Sequence, residues 1–249
     1  MILDELRKKA RGQKLHFTLI DPDKQPVEEA VKLAKFAKEC GTDAFMIGGS
    51  SPTVVINLDA TVKAIKESCG LPVILFPHSH AGISKHADAI FFMSLLNSSD
   101  VNYIVEEPVK GAPLIKAYGI EPISMGYLMF ESGNTCTSHF VGKAKLLPND
   151  KPEIATSYAL AAQFFGMALV YLEAGSGALC PVSNEVIEMI RKNVDIPLIV
   201  GGGIRDKKTV LEKLNAGADI IVTGTINEGN KEKLREIIST IKGFKAGKA

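Results

Sequence analysis

The sequence predicts an α/β protein of the TIM (β/α)8 barrel class, a single domain over residues 1–249. Three observations predict it. Short apolar runs alternate with helical segments eight times, as strand-to-helix units do. The runs are apolar throughout rather than alternating, which is the pattern of parallel strands covered on both faces. The seventh and eighth runs end in glycine turns, GGGIRD and GT, of the kind that grips phosphate in a barrel. An open, doubly wound sheet is the competing architecture.

The elements follow in order. LHFTLID (15–21) is the first strand, and VEEAVKLAKFAKECG (27–41) is a helix stopped by Gly41. DAFMIGGS (43–50) is the second strand, followed by a helix over 53–70 that Thr53 would cap. LPVILFP (71–77) and DAIFFMSLLNS (88–98) are the third and fourth strands. The stretch between them, HSHAGISKHAD, is too short for a full helical crossover. Residues 99–119 read as a helix in two pieces, broken by prolines, and the fifth strand lies within 121–130. The polar stretch 131–150 is long for a connection, and such loops are often functional. A helix over 152–166 opens on a proline, and the sixth strand lies within 167–177. A helix over 183–194 starts from a Ser cap. Strand seven (196–206), a helix (208–218), strand eight (219–227) and a closing helix (231–243) complete the pattern. The basic tail KGFKAGKA reads as a fraying end.

Composition narrows the function. A formal net charge of +1 carries no basic footprint for nucleic acid. No stretch is long and apolar enough to span a membrane, and the charged N-terminus MILDELRKKARG lacks the apolar core of a signal peptide. A cytoplasmic protein is expected. The four cysteines have no CxxC spacing, so they read as small buried hydrophobes.

Barrel chemistry sits at the C-terminal strand ends. The residues there are Asp21 and Asp23, Gly48-Gly49-Ser50, His78 with His80, Asn97, Tyr127, Glu173 with the loop Ala174-Gly175-Ser176-Gly177, Gly201 to Arg205, and Gly224-Thr225. Three glycine loops, after strands six, seven and eight, point to a bound phosphate. Asp21, as a hard oxygen donor, suits Mg²⁺, and Ser50 could add a hydroxyl; helix capping explains either residue equally well. Two histidines at i, i+2 define no metal geometry. Glu173 is the odd one, because a carboxylate beside a phosphate grip is repelled by the anion. It makes sense facing the far, hydroxyl end of a small substrate, where it could take a proton.

LIDPDK, FMIGGS, LPVILFP, DAIFFMSLLNS, YLEAGSGA, VGGGIRD and VTGT, in that order, resemble the geranylgeranylglyceryl phosphate synthase family, in the second of its two groups. The resemblance covers roughly residues 15–240. It implies a barrel lacking its third helix, as the short 78–88 connection also suggests. It implies that the 3-hydroxyl of sn-glycerol 1-phosphate is joined to C1 of geranylgeranyl diphosphate, with Mg²⁺, in archaeal-type ether-lipid synthesis. A heptaprenyl donor, or another reaction in a phosphate-binding barrel, remains open. The family's Mg²⁺ positions fall on Asp21 and Ser50. Its glycerol-phosphate positions fall on Tyr171, Leu172, Glu173, Ala174, Gly175, Ser176, Gly177, Gly202, Gly203, Gly224 and Thr225, with Glu173 and Tyr171 as the catalytic pair. Phe76, Phe92 and Tyr127 would line a prenyl groove on the shortened side. A homo-oligomer, dimer or hexamer, is expected. The family usually has Gly where His78 stands, which would strain the 77–80 loop if a left-handed backbone were needed.

Overall fold

The structure, a computed structural model, describes residues 1–49, 57–224 and 230–245. Strands β1 (Leu15–Ile20), β2 (Ala44–Ile47), β3 (Val73–Leu75), β4 (Ala89–Leu95), β5 (Glu121–Met129), β6 (Leu169–Glu173), β7 (Leu198–Gly201) and β8 (Ile220–Thr223) are all parallel. They close into a barrel in sequence order, with β8 pairing back onto β1 at Phe17↔Val222. The open-sheet alternative is therefore excluded.

The unbroken apolar runs now have a cause. Alternate side chains such as Phe17, Met46, Phe91, Met125, Tyr171 and Ile199 fill the barrel interior. Their neighbours, such as Phe45, Ile47, Val170 and Leu172, pack outward beneath the helices. Both faces are buried, so both must be apolar.

Helices α2 (Val27–Cys40) and α3 (Leu58–Cys69) each end on a left-handed glycine, Gly41 and Gly70. The α3 helix starts after Asn57, later than the predicted 53, and the expected cap Thr53 lies outside the described residues. Between β3 and β4 the described helical structure is one 3₁₀ turn, His80–Gly82. The two helical pieces expected over 99–119 instead run together: a π-helical turn, Asn102–Glu106, passes directly into α4 (Glu107–Tyr118). Next come α5 (Thr137–Val141), α6 (Pro152–Phe164), α7 (Asn184–Asn193), α8 (Lys207–Ala216) and α9 (Lys231–Gly243). Residues 246–249 of the tail lie outside the described residues.

The N-terminal segment forms α1 (Ile2–Ala10), which closes the bottom of the barrel. Leu6 is buried there with the inner cluster. The Glu121 carboxylate, at the start of β5, accepts from the amides of Ile2 (2.6 Å) and Leu3 (3.1 Å). These amides would otherwise be unpaired, and the negative charge suits a helix N-terminus. Cys69 and Cys136 are buried, as expected of small hydrophobes, whereas Cys180 is exposed and Cys40 half-buried.

Candidate active site

The upper end of the barrel opens into one cavity whose lining brings Asp21, Gly49, Phe76, Tyr127, Tyr171, Glu173 and three glycine loops together. From this mouth the cavity continues outward past Ile83, Ile90, Phe92, Gly111 and Ile115. Those residues lie where a third barrel helix would otherwise cover β3 and β4. The gap that shortens the chain there thus opens a greasy exit from the mouth. Phe92 points to the outer side of β4 and lines this exit, whereas Phe76 and Tyr127 belong to the inner side. Phe76 packs edge-on to Tyr127 at 5.5 Å and lies at 5.5 Å from Tyr171, so aromatic faces join mouth to exit.

Glu173 ends β6 with its side chain inward and buried. Its Oε1 accepts from the Gly175 amide at 2.6 Å, so the carboxylate caps its own loop. Burial pushes the Glu173 pKa up, opposed by Tyr171 and the Gly175 amide. The buried Tyr171 hydroxyl stands close enough to steady that charge, yet makes no hydrogen bond of sound geometry among the described residues. Burial, then the Glu173 charge, raises Tyr171 well above the usual phenol range. Gly202 is the reason Glu173 fits. A Cβ on Gly202 would stand 2.5 Å from Glu173 Oε1 and 2.7 Å from the Gly175 nitrogen, and its φ of +81° favours glycine in any case.

The loop after β6 is not the phosphate grip expected along its whole length. The Ala174 amide is spent on the Gly201 carbonyl and the Gly175 amide on Glu173. Leu172 and Ala174 are fully buried in the outer core and do not line the cavity. What faces the cavity is Gly175, Ser176 and Gly177, opposed by Gly202, Gly203 and Gly224. The amides of Gly177, Gly202 and Gly203 have no backbone partner among the described residues, so they remain available to an anion. The loop's carbonyls are drawn away from it: Arg205 Nη2 donates to the Ala178 carbonyl at 2.6 Å, and Asn134 Nδ2 to that of Gly177 at 3.4 Å. Thr225 lies outside the described residues.

Asp21 ends β1 at the same mouth. Its Oδ1 accepts from the Asp23 amide at 3.1 Å, and Lys24 Nζ lies 3.9 Å from Oδ2. Burial raises its pKa, opposed by the Asp23 amide and Lys24. Gly49 leaves the space beside that carboxylate clear, since a Cβ there would strike it. One carboxylate facing a mouth rimmed by glycine amides that lack a backbone partner among the described residues has the donor chemistry of an Mg²⁺ ligand, since that ion takes one or two such ligands and completes its shell with water and substrate phosphates. No group of three or more His, Cys, Asp or Glu residues is arranged for a metal among the described residues. Ser50 lies outside them, and Asp23 is exposed and does not line the cavity.

His80 is tied to the exit wall, its amide and Nδ1 both 2.7 Å from Glu107 Oε2. His78 lines the mouth, and its backbone is not among those with positive φ, so the expected strain is absent. Asn97 is a structural residue. It is buried, and its side chain bonds Met129 and the Lys145 carbonyl, pinning the 131–150 segment to the barrel. That segment carries α5 and supports the β6 loop from behind, a role that neither its length nor its polarity specified.

The sequence profile of the PcrB family matches residues 6–241. A geranylgeranylglyceryl phosphate synthase of Thermococcus gammatolerans is 54% identical over 93% of this chain and 92% of its own length. The structure of (S)-3-O-geranylgeranylglyceryl phosphate synthase from Thermoplasma acidophilum, in complex with its substrate sn-glycerol-1-phosphate, superposes with a TM-score of 0.94 at 46% identity. It covers 98% of this chain and 99% of that one. The wild-type enzyme of Thermoplasma volcanium gives the same TM-score at 48% identity, over 99% of this chain and all of that one.

Proposed function

The chain belongs to the PcrB family, and from that premise we propose that it joins the 3-hydroxyl of sn-glycerol 1-phosphate to C1 of geranylgeranyl diphosphate. The products are geranylgeranylglyceryl phosphate and diphosphate. The observation that carries the reading is one cavity with two chemistries: an anion-gripping mouth containing a buried carboxylate, continuous with an apolar exit where a helix is missing. A small phosphorylated polyol suits the first and a prenyl chain the second.

The free amides around Gly177, Gly202 and Gly203 would hold the phosphate of the glycerol substrate. With its phosphate fixed there, the polyol extends toward Glu173. Glu173 Oε1 is already engaged by the Gly175 amide, which leaves Oε2 to meet the 3-hydroxyl. The glycerol oxygen forms its bond to C1 as the bond from C1 to diphosphate breaks, and the hydroxyl proton passes to Glu173. Burial suits Glu173 to this, because it makes the carboxylate a stronger base than a solvated one. The aromatic faces of Phe76 and Tyr127 would seat the prenyl chain near C1 and exclude water.

Asp21, with Ser50, would hold Mg²⁺. Bound with the diphosphate, the ion supplies charge neutralisation to the leaving group. Lys24 and Arg205 add positive charge around the same mouth. The reading is tested by incubating labelled sn-glycerol 1-phosphate with geranylgeranyl diphosphate. It predicts an organic-soluble labelled product that disappears when Mg²⁺ is chelated. Absence of product with any prenyl chain length would overturn the reaction, and full activity after chelation would overturn the metal.

A further inference from the structure

The β6 loop rests on a histidine that the reaction as described does not use. His139, the third residue of α5, is buried against the underside of the glycine loop. Its Nδ1 accepts from the Cys136 amide at 3.4 Å, so the ring proton belongs on Nε2. That Nε2 is buried beside the Ala174 carbonyl, near enough to be steadied by it, yet makes no hydrogen bond of sound geometry among the described residues. A buried donor so poorly paired costs stability and calls for an explanation.

Two further facts say where the donor points. A Cβ built on Gly175 would lie 2.9 Å from Nε2, so the ring abuts the loop at a residue whose φ is +100°. The neighbouring Ala174 carbonyl is met by the Cys136 thiol at 3.9 Å, a weak contact. An under-used donor and an under-used acceptor thus lie together directly beneath Gly175, the residue whose amide also caps Glu173. A small shift of the loop would pair them.

We infer that His139 is a positioning residue for the glycerol-phosphate end of the site: its Nε2–H takes the Ala174 carbonyl when the loop settles on the bound phosphate. The contact tightens as the loop settles on the phosphate, so it adds more to ligand affinity than to the stability of the free protein. His139 touches no reacting atom, and it acts through Ala174 and Gly175. The inference rests on the reading of the mouth as a glycerol-phosphate site.

Two variants separate this from a purely structural role. His139→Asn keeps an acceptor for the Cys136 amide and loses the Nε2 donor. His139→Gln reaches the Nε2 position and gives up the Nδ1 acceptor. Binding of sn-glycerol 1-phosphate to the full chain is measured by calorimetry, with thermal melting of the free protein alongside. We expect His139→Asn to melt near the parent and bind about tenfold more weakly, the worth of roughly one net hydrogen bond. His139→Gln should melt lower and bind within about twofold of the parent, again well inside one hydrogen bond. In turnover, His139→Asn should raise the KM for glycerol phosphate with kcat and the KM for the prenyl diphosphate unchanged. Affinity that simply follows melting temperature in both variants, or unchanged affinity in His139→Asn, would overturn the role of His139. Failure of the parent itself to bind glycerol phosphate would instead overturn the assignment of the mouth.

Discussion

At the scale of single residues, the site is built from what glycine leaves out. Gly202 is the clearest case, since the space a Cβ would take is filled by Glu173 Oε1 and the Gly175 amide. Gly202→Ala should therefore move Glu173 or break its cap. A left-handed alanine also costs about 1–2 kcal/mol. The expected result is a lower melting temperature and weakened binding of glycerol phosphate, read by calorimetry on the folded variant. An alanine variant that binds normally would show that the loop has slack the geometry does not suggest. The carboxylate beside a phosphate grip was legible as an anomaly from YLEAGSG alone. Its resolution was not. The cap from Glu173 to Gly175 is local, but the loss of Ala174 to Gly201 and the shelf of His139 join segments far apart in sequence.

At the scale of elements, the missing third helix does two things. It shortens the connection between β3 and β4 to a 3₁₀ turn, and it leaves α4 as the far wall of the exit. The turn and the wall are held together by His80 and Glu107. Burial alone would raise the Glu107 pKa, but the His80 amide, the His80 ring and Lys110 outweigh it and take it down to about 2. The sign follows. A depressed carboxylate adds stability above its unfolded pKa near 4.5, and that stability is lost as pH falls toward 2. Glu107→Gln should flatten the dependence of melting temperature on pH between those values. At neutral pH it should raise the KM for the prenyl diphosphate more than that for glycerol phosphate, because only the exit wall is loosened. Equal effects on both substrates would argue against a separate prenyl exit. The order of the strands and the short connection were legible because buried parallel strands and glycine stops leave plain local signals. The barrel-plugging role of α1 was not, because an amphipathic, charged segment looks the same on a surface as against the foot of a barrel.

At the scale of the whole molecule, closure of β8 onto β1 buries a polar group as well as apolar ones. His16 sits between Thr42 and Thr223, with both ring nitrogens at 2.9 Å from a hydroxyl. Burial, then the charge of Lys242, pushes its pKa down to about 3. A histidine kept neutral in the fold takes up its proton only on unfolding as pH drops below 6.5, so stability falls progressively from there toward pH 3. Denaturant midpoints measured across that window should decline, and His16→Gln should flatten the decline whatever its effect at neutral pH. A variant with the parent's slope would move the cause of acid lability elsewhere. The same hydrogen bond joins β1 to Thr223, the residue just before Gly224, so barrel closure and the third glycine turn are linked.

Under the proposed function, the mouth holds the phosphate of the glycerol substrate while Glu173 takes the proton of its far hydroxyl. Glu173→Gln tests it most directly, because the amide keeps the size of the side chain and an oxygen able to accept from Gly175. The paired measurement is calorimetric affinity for sn-glycerol 1-phosphate and the single-turnover rate with geranylgeranyl diphosphate. The expected result is affinity close to the parent's and a rate lower by about 10² or more. A variant that turns over at the parent's rate would remove Glu173 from the chemistry and contradict the claim.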